Sequence, residues 1–354
     1  MNWAIVALCG FVLLATLLPL VKHPHWSVRA MEFPRLQLAS IAASLLLFIL
    51  WYMEINGLTV ILLLSITCCL CFQLWWILPY TPLWPVEIKP ATTAPHTISL
   101  LTANVLQGNR QFALLLEQVR TLQPDILITL ESDDIWQQQL DSLVDILPYS
   151  VKCPQSNLYG MHVYSRYPLD DASCEYIVEE GVPSIHAKLT LAPNMVIQTH
   201  FLHPAPPSPT ENKTAIERDA ELVVVAKRVA KQSLPTIVTG DLNDVAWSPT
   251  TRLFRKISGL LDPRVGRGMF NTFHADYPFA RWPLDHLFSS HHFTVVDIKR
   301  LANIGSDHFA LFAKLAFEPV QNERKSGLDL KQKDLSRSEE ILEHAEEKPN
   351  CKLT

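Results

Sequence analysis

The sequence predicts an α/β (α+β) domain of stacked sheets and helices, preceded by three transmembrane helices. Three observations predict it. Apolar residues crowd into the first 80 positions, short β-branched runs alternate with helical segments between residues 96 and 318, and compact acidic motifs follow those runs. Overall the chain is 48% hydrophobic with a mean hydropathy of +0.13, high for a purely soluble enzyme.

The anchor, residues 1–80, comes first. Trp3–Val21, Leu36–Met53 and Leu58–Leu78 are apolar runs without an interior Lys, Arg, Asp or Glu. Each is long enough to cross a hydrocarbon core as a helix, whereas a buried helix of a soluble protein needs only about 10–14 such residues. No basic n-region precedes the first run and two more follow at once, which favours an anchor over a signal peptide. Lys22, Arg29 and Arg35 face only Glu32 in the first loop, and Glu54–Gly57 has no basic residue. The positive-inside rule therefore places that loop, and after three crossings the C-terminal domain, in the cytoplasm. Trp75, Trp76 and Trp84 suit an interfacial belt.

Residues 81–95, within the proline-rich stretch Pro79–Pro95, read as a stiff spacer lifting a domain off the bilayer. Strand patterns follow at Thr97–Val105, Asp125–Leu130, Gly160–Tyr164, Ser184–Leu191, Met195–His203, Thr236–Gly240 and His286–Ser289, with a further β-like run over Phe293–Ile298 and Leu301–Ile304. Gln111–Leu122 and Thr214–Gln232 have helical spacing, with Pro124 and Pro235 marking their exits. The domain at 96–318 holds about 220 residues, near the upper limit for one core. Residues 319–354 are dense in mixed charge and poor in aromatics, and read as a disordered or partly helical tail.

Of seven cysteines, Cys9, Cys68, Cys69 and Cys71 fall in the apolar runs, and no Cys/His cluster suggests zinc. Cys153 and Cys174 are able to pair if the domain faces an oxidising space.

The chemistry sits in Gly-Asp-Leu-Asn-Asp at Gly240–Asp244 and Gly-Ser-Asp-His at Gly305–His308. Carboxylates to hold a hard cation, with imidazole to move a proton, are what phosphoester hydrolysis requires. Asn104, Glu131, Arg166, His203 and Asp285 also fall at or near strand ends. Any one of these alone is more often a turn former or helix cap. It is the ordered set that points to function.

In that order, from Asn104 to His308, the chain resembles the endonuclease/exonuclease/phosphatase superfamily with the DNase I-like fold, and within it the membrane-tethered bacterial branch. The resemblance implies two face-to-face β-sheets with helices outside, a four-layer sandwich. It implies one or two divalent metals, usually Mg²⁺ with Mn²⁺ an option, and a multi-pass protein of the bacterial inner membrane. Glu131 and Asp307 match the metal-side carboxylates and Asn104 the asparagine that supports them; Arg166 is taken as a supporting metal or phosphate contact. Asp241 and Asn243 match the pair contacting phosphate and attacking water, and His308, oriented by Asp285, the histidine acting with that water. The base is left open between Asp241 and His308. His203 is preferred to His200 as the other active-site histidine because His-Pro and a Pro-Pro pair follow it. Some family nucleases pair this histidine with a glutamate, for which Glu175, Glu179 and Glu180 are candidates by proximity in sequence.

Charge bears on the substrate. Residues 96–318 contain 19 Lys and Arg against 24 Asp and Glu, and Arg252, Arg255, Lys256, Arg264 and Arg267 form only a local cluster. A non-specific duplex nuclease needs a basic footprint. A hydrolase anchored through residues 3–78 gains effective concentration for bilayer substrates, so a lipid-linked phosphate or pyrophosphate is the expected substrate. A nuclease acting on DNA or RNA is the alternative and an inactive tethered scaffold a third reading. No protein partner is inferable.

Overall fold

The computed structural model describes residues 3–92, 96–193, 195–318, 327–349 and 351–353. Three helices are long and apolar enough to cross a membrane: α1 (Trp3–Leu17, continued by a 3-10 turn to Val21), α3 (Arg35–Tyr52) and α4 (Gly57–Ile77). A one-turn helix α2 (Trp26–Arg29) lies in the loop between the first two. The three pack through Cys9, Val12, Ala42, Leu45, Ile49, Leu62 and Ile66, and their other faces carry exposed Leu, Ile and Trp. Largely apolar exposed faces of this kind are what a membrane-crossing helix presents to lipid.

The domain has four layers. One sheet holds β1 (Thr97–Asn104), β2 (Ile126–Leu130), β3 (Tyr149–Cys153), β4 (Met161–Ser165), β10 (Phe293–Asn303) and β11 (Phe309–Phe317), in the order β10-β11-β1-β2-β4-β3. The other runs β5 (Leu169–Glu175), β6 (Ser184–Ala192), β7 (Met195–Leu202), β8 (Thr236–Asp241) and β9 (Asp285–Ser289). Alternation along the strands sends Leu100, Ile128, Ile197 and Ile237 into the core between the sheets. Their neighbours Leu101 and Leu127 pack outward under α5 (Phe112–Leu122) and α6 (Asp134–Leu140). On the second sheet, Leu202 and Val238 pack under α7 (Ile216–Ala230), α8 (Pro249–Ser258) and α9 (Gln332–Glu346). The central strands touch where Thr102 and Thr239 hydroxyls meet at 2.8 Å.

Two expectations are corrected. The tail is not disordered throughout: α9 buries Ile341 and Ala345, and Lys256 reaches Asp334 at 2.9 Å, because the charges lie on one face of an amphipathic helix. Residues 319–326 of that tail lie outside the described ones. Nor does the proline-rich segment hold the domain away from the spans. Ile88 is buried in the domain core, Glu87 pairs with Arg255, and the Gly266 N–H donates to the Pro79 carbonyl at 2.8 Å.

Anchor and domain share a core of Ala39, Ile77 and Tyr80 with Val245, Ala246, Trp247 and Leu284. The Tyr80 hydroxyl donates to the Ala246 carbonyl at 2.7 Å, and the Trp247 indole N–H to the Glu32 carbonyl at 2.8 Å. Arg29 is buried, donating to Thr250 at 2.8 Å and lying 3.4 Å from Asp219, while Arg35 donates to Gln73 at 3.1 Å. Two of the three basic residues behind the cytoplasmic assignment therefore have a use inside the fold.

Candidate active site

Strand direction gathers the site. The parallel pairs β1–β2 and β7–β8 end on the same side of the two sheets, and antiparallel β9 and β11 begin there. Asn104 and Asp241 close their strands, Glu131 directly follows β2, Asp285 opens β9 opposite Asp241, and Asp307–His308 immediately precede β11. Gly240 is required by this convergence: a Cβ there would stand 1.9 Å from the Leu202 carbonyl oxygen. Glu131 and Asn243 both hold left-handed backbones, at φ 57° and 50°, a local cost often found at functional sites.

The Asn104 amide donates to Glu131 at 2.8 Å and to Asp241 at 3.2 Å. Asp241 accepts the Asn243 backbone N–H at 2.9 Å, and the Asn243 amide donates to the Pro204 carbonyl at 3.0 Å. His308 Nδ1 is 2.8 Å from Asp285, leaving Nε2 3.5 Å from Asp241. Burial alone would lower the His308 imidazole, but Asp285 and Asp241 outweigh it and carry it up to about 10. Burial pushes Asp241 upward against the opposing pull of His308, and holds His203 down at about 4. The Ser306 hydroxyl donates to the Asn104 carbonyl at 2.8 Å, fastening the second motif to β1.

These side chains face a cavity of about 630 Å³, whose lining includes Glu131, His203, Asp241, Asn243, Asp307 and His308. Burial pushes Glu131 up to about 7; Asn104 opposes this, and the charges of Asp307 and Asp241 add to it. Glu131, Asp241 and Asp307 line one cavity, and a cluster of carboxylates fits a divalent cation, since all-oxygen donors suit a hard ion. Asp241, Asp285 and His308 also bring ligand atoms within 4.8 Å of one another, but the His308–Asp285 hydrogen bond already occupies that pair.

Arg166 does not join them. It flanks β4 at the opposite end of the sheet, 3.2 Å from Asp125, because antiparallel pairing sets Ser165 against Ile126 and Met161 against Leu130. The histidine alternatives separate cleanly: His200 points to the helical side and meets His186 at 2.8 Å, whereas His203 enters the cavity beside the Tyr159 ring. None of the three glutamates named for His203 reaches the cavity lining; Glu175 pairs with Arg228 and Glu179 accepts from Asn212.

Sequence reading missed the cavity wall. Trp26, Phe33 and Pro34 of the first loop line it, with Tyr159, Pro206, Pro207, Phe273 and Trp282. Phe33 meets Trp282 at 5.7 Å, Trp282 stacks on Phe273 at 6.3 Å, and Phe273 lies 4.9 Å from His308. Arg218 was also missed; fully buried, it joins Asp219 at 2.8 Å to the Asn243 carbonyl at 2.7 Å. Its Glu-Arg-Asp setting inside a helix looks like any solvated turn.

The sequence profile of the Endonuclease/Exonuclease/phosphatase family matches residues 101–308. The chain belongs to that family. Endonuclease/exonuclease/phosphatase proteins are metal-dependent phosphoesterases and nucleases, and this chain is an enzyme of that class. No curated protein matches it. Similar solved structures include D. rerio TDP2 complexed with single strand DNA product (13% identity, TM-score 0.53, 62% of this chain and 98% of that one). The human Nocturnin catalytic domain with bound sulfate anion is another (18%, 0.52, 64% and 96%). A third is the endonuclease/exonuclease/phosphatase from Beutenbergia cavernae DSM 12333 (18%, 0.50, 63% and 72%). At these identities the likeness concerns the fold.

Proposed function

We infer that the protein is a membrane-anchored hydrolase of a lipid-borne phosphoester or pyrophosphate, belonging to a membrane-tethered branch of its family. The observation that carries this is the composition of the cavity wall. On one side stand the acidic and imidazole groups; on the other stands an apolar wall supplied partly by Trp26, Phe33 and Pro34, immediately before the span α3. A substrate that places a phosphate beside hydrocarbon at the bilayer surface satisfies both sides. Arg29, the one arginine among the described residues lining the cavity, is committed to Asp219 and Glu32, so among the described residues the wall offers no cationic track for a polynucleotide.

In this reading Glu131 and Asp307 would hold a divalent ion, with Asn104 steering the Glu131 carboxylate. Such an ion, when bound, would supply charge neutralisation to the phosphate. Asp241 takes the proton of the attacking water. His308, kept protonated by Asp285 and Asp241, donates from Nε2 to a phosphoryl oxygen and stabilises its growing charge. Asn243, turned by its left-handed backbone, offers its second amide N–H to the same group, and neutral His203 adds a donor without adding charge.

The test uses the full chain in detergent micelles with Mg²⁺, Mn²⁺ or chelator. Its substrates are a polyprenyl pyrophosphate, a phospholipid, bis-p-nitrophenyl phosphate and single-stranded DNA. Chelator-sensitive turnover preferring the lipid substrates, lost in Asp241→Asn, is expected. Preference for DNA would replace this reading with a nuclease. Absence of any metal-dependent turnover from folded protein would favour a scaffold.

A further inference from the structure

A second cavity, of about 420 Å³, opens where the anchor meets α8 and α9; it shares Arg29 with the first but none of the catalytic groups. Its rim includes Pro19 and Leu20 at the domain end of the first span and Trp76 near the end of α4. That is the level at which lipid headgroups sit if these helices cross a bilayer.

The charges lining it divide into two sets. Arg29 with Glu32 (3.3 Å), Lys256 with Asp334 (2.9 Å) and Arg337 with Glu340 (3.0 Å) are paired. Lys22, Arg252 and Lys333 have no hydrogen-bond acceptor or ion-pair partner for their side-chain nitrogens among the described residues, and the lining carboxylates Glu32, Asp334 and Glu340 each pair with another cation, one oxygen of Glu32 being left without a hydrogen-bond partner. Arg252 is the telling member. Its guanidinium is half-buried and lies 5.2 Å from the Trp76 ring, whose surroundings also include Arg35 at 4.9 Å. Arg255, Arg264 and Arg267, its companions in the basic cluster, are all committed to Glu87, Asp262 or backbone carbonyls. A half-buried guanidinium with no ion-pair partner, lining one cavity with two lysines, suits a phosphate.

We propose that Lys22, Arg252 and Lys333 form a binding site for the phosphate of an anionic phospholipid, separate from the catalytic cavity, that fastens the domain to the bilayer surface. Apolar residues on the rim favour the lipid source over free phosphate: Leu20, Ile341 and Trp76 border the cavity. The proposal rests on the spans crossing a membrane but not on the chemistry of the other cavity.

The experiment is native mass spectrometry of the full chain released from micelles containing phosphatidylglycerol and phosphatidylcholine in equal amounts. Both lipids carry a phosphodiester, but only phosphatidylcholine adds a trimethylammonium that three cations repel, so wild type is expected to retain phosphatidylglycerol about tenfold over it, a difference of ~1.4 kcal/mol. The triple variant Lys22→Gln, Arg252→Gln, Lys333→Gln should lose the preference. Asp241→Asn, which stops hydrolysis, should keep it, so failure here is distinguishable from failure of the catalytic reading. Should the triple variant misfold, the exposed single changes Lys22→Gln and Lys333→Gln carry the test. Equal retention of both lipids, or an unchanged preference in the folded variants, would overturn the proposal. Full displacement by millimolar inorganic phosphate would overturn the lipid assignment in favour of a free anion.

Discussion

Phe33 and Trp282 meet edge to face at 5.7 Å, one from the loop between two spans and the other from the segment before β9. Through Phe273 the contact continues to the ring of His308. The anchor is thus part of the wall against which the reacting group lies. Phe33→Ala should raise KM for a lipid-borne substrate by about tenfold or more, since burying such a ring is worth ~1.5–3 kcal/mol. Turnover of a small soluble diester should be little changed, and comparing KM for the two substrates checks the division.

Glu131 stands at about 7 through burial and its acidic neighbours, so a cation must displace its proton at lower pH. Metal affinity should rise with pH up to about 7 and level off above it. Calorimetry in buffers of different ionisation enthalpy should find close to one proton released per ion at pH 6 and little at pH 8. Glu131→Gln should weaken binding by about two orders of magnitude and remove the proton release.

His308 is raised to about 10 in the folded chain against 6.5 unfolded. A raised base adds stability that is fully present below the unfolded value and is lost as pH climbs through the folded one. Thermal melts of metal-free protein should therefore fall between pH 7 and 10. Asp285→Asn should flatten that decline and move the alkaline limb of the pH–rate profile to lower pH, with kcat reduced by at least about 100-fold.

Gly240 approaches Leu202 so closely that alanine has nowhere to put its methyl group. Gly240→Ala should cost ~3 kcal/mol or more, read as a lowered urea midpoint, and take activity with it because Asp241 is the next residue.

Cys153 and Cys174 lie on edge strands of different sheets with their sulfurs 3.0 Å apart. Mild oxidation of the purified chain should join them, giving a faster non-reduced band on gels that Cys174→Ser abolishes. Their state in intact cells then reports which face of the membrane the domain occupies.

Much of this was written in local pattern. The three long apolar helices declared themselves by length, and β1, β2, β7 and β8 by apolar runs ending in or just before Asn104, Glu131, His203 and Asp241. Other elements were hidden for physical reasons. β5 is an edge strand whose Asp170 and Asp171 face solvent, so it lacks an apolar rhythm. In α8, Leu253, Phe254 and Ile257 are diluted by basic residues, though Ser248 and Gly259 cap it at either end. Arg166 looked like a site residue because sequence gives proximity to a strand but not which end of it. The cavity wall was illegible for a stronger reason: Trp26 and Phe33 are more than a hundred residues from the motifs they face, and only the docking of anchor on domain joins them.

The shared core of Ala39, Ile77 and Tyr80 with Val245, Ala246 and Trp247 has a final consequence. A catalytic domain on a loose tether samples many heights and tilts above a surface. Here Leu284 of the cavity wall packs in the same core as the helices, so if those helices cross a bilayer the cavity stands at a fixed altitude over the acyl chains. The enzyme would then act as a depth gauge. If the substrate is lipid-borne, as proposed, then among lipids sharing the same phosphate linkage the fastest should be those whose scissile bond projects to that one level, and headgroup length should set the rate independently of headgroup chemistry.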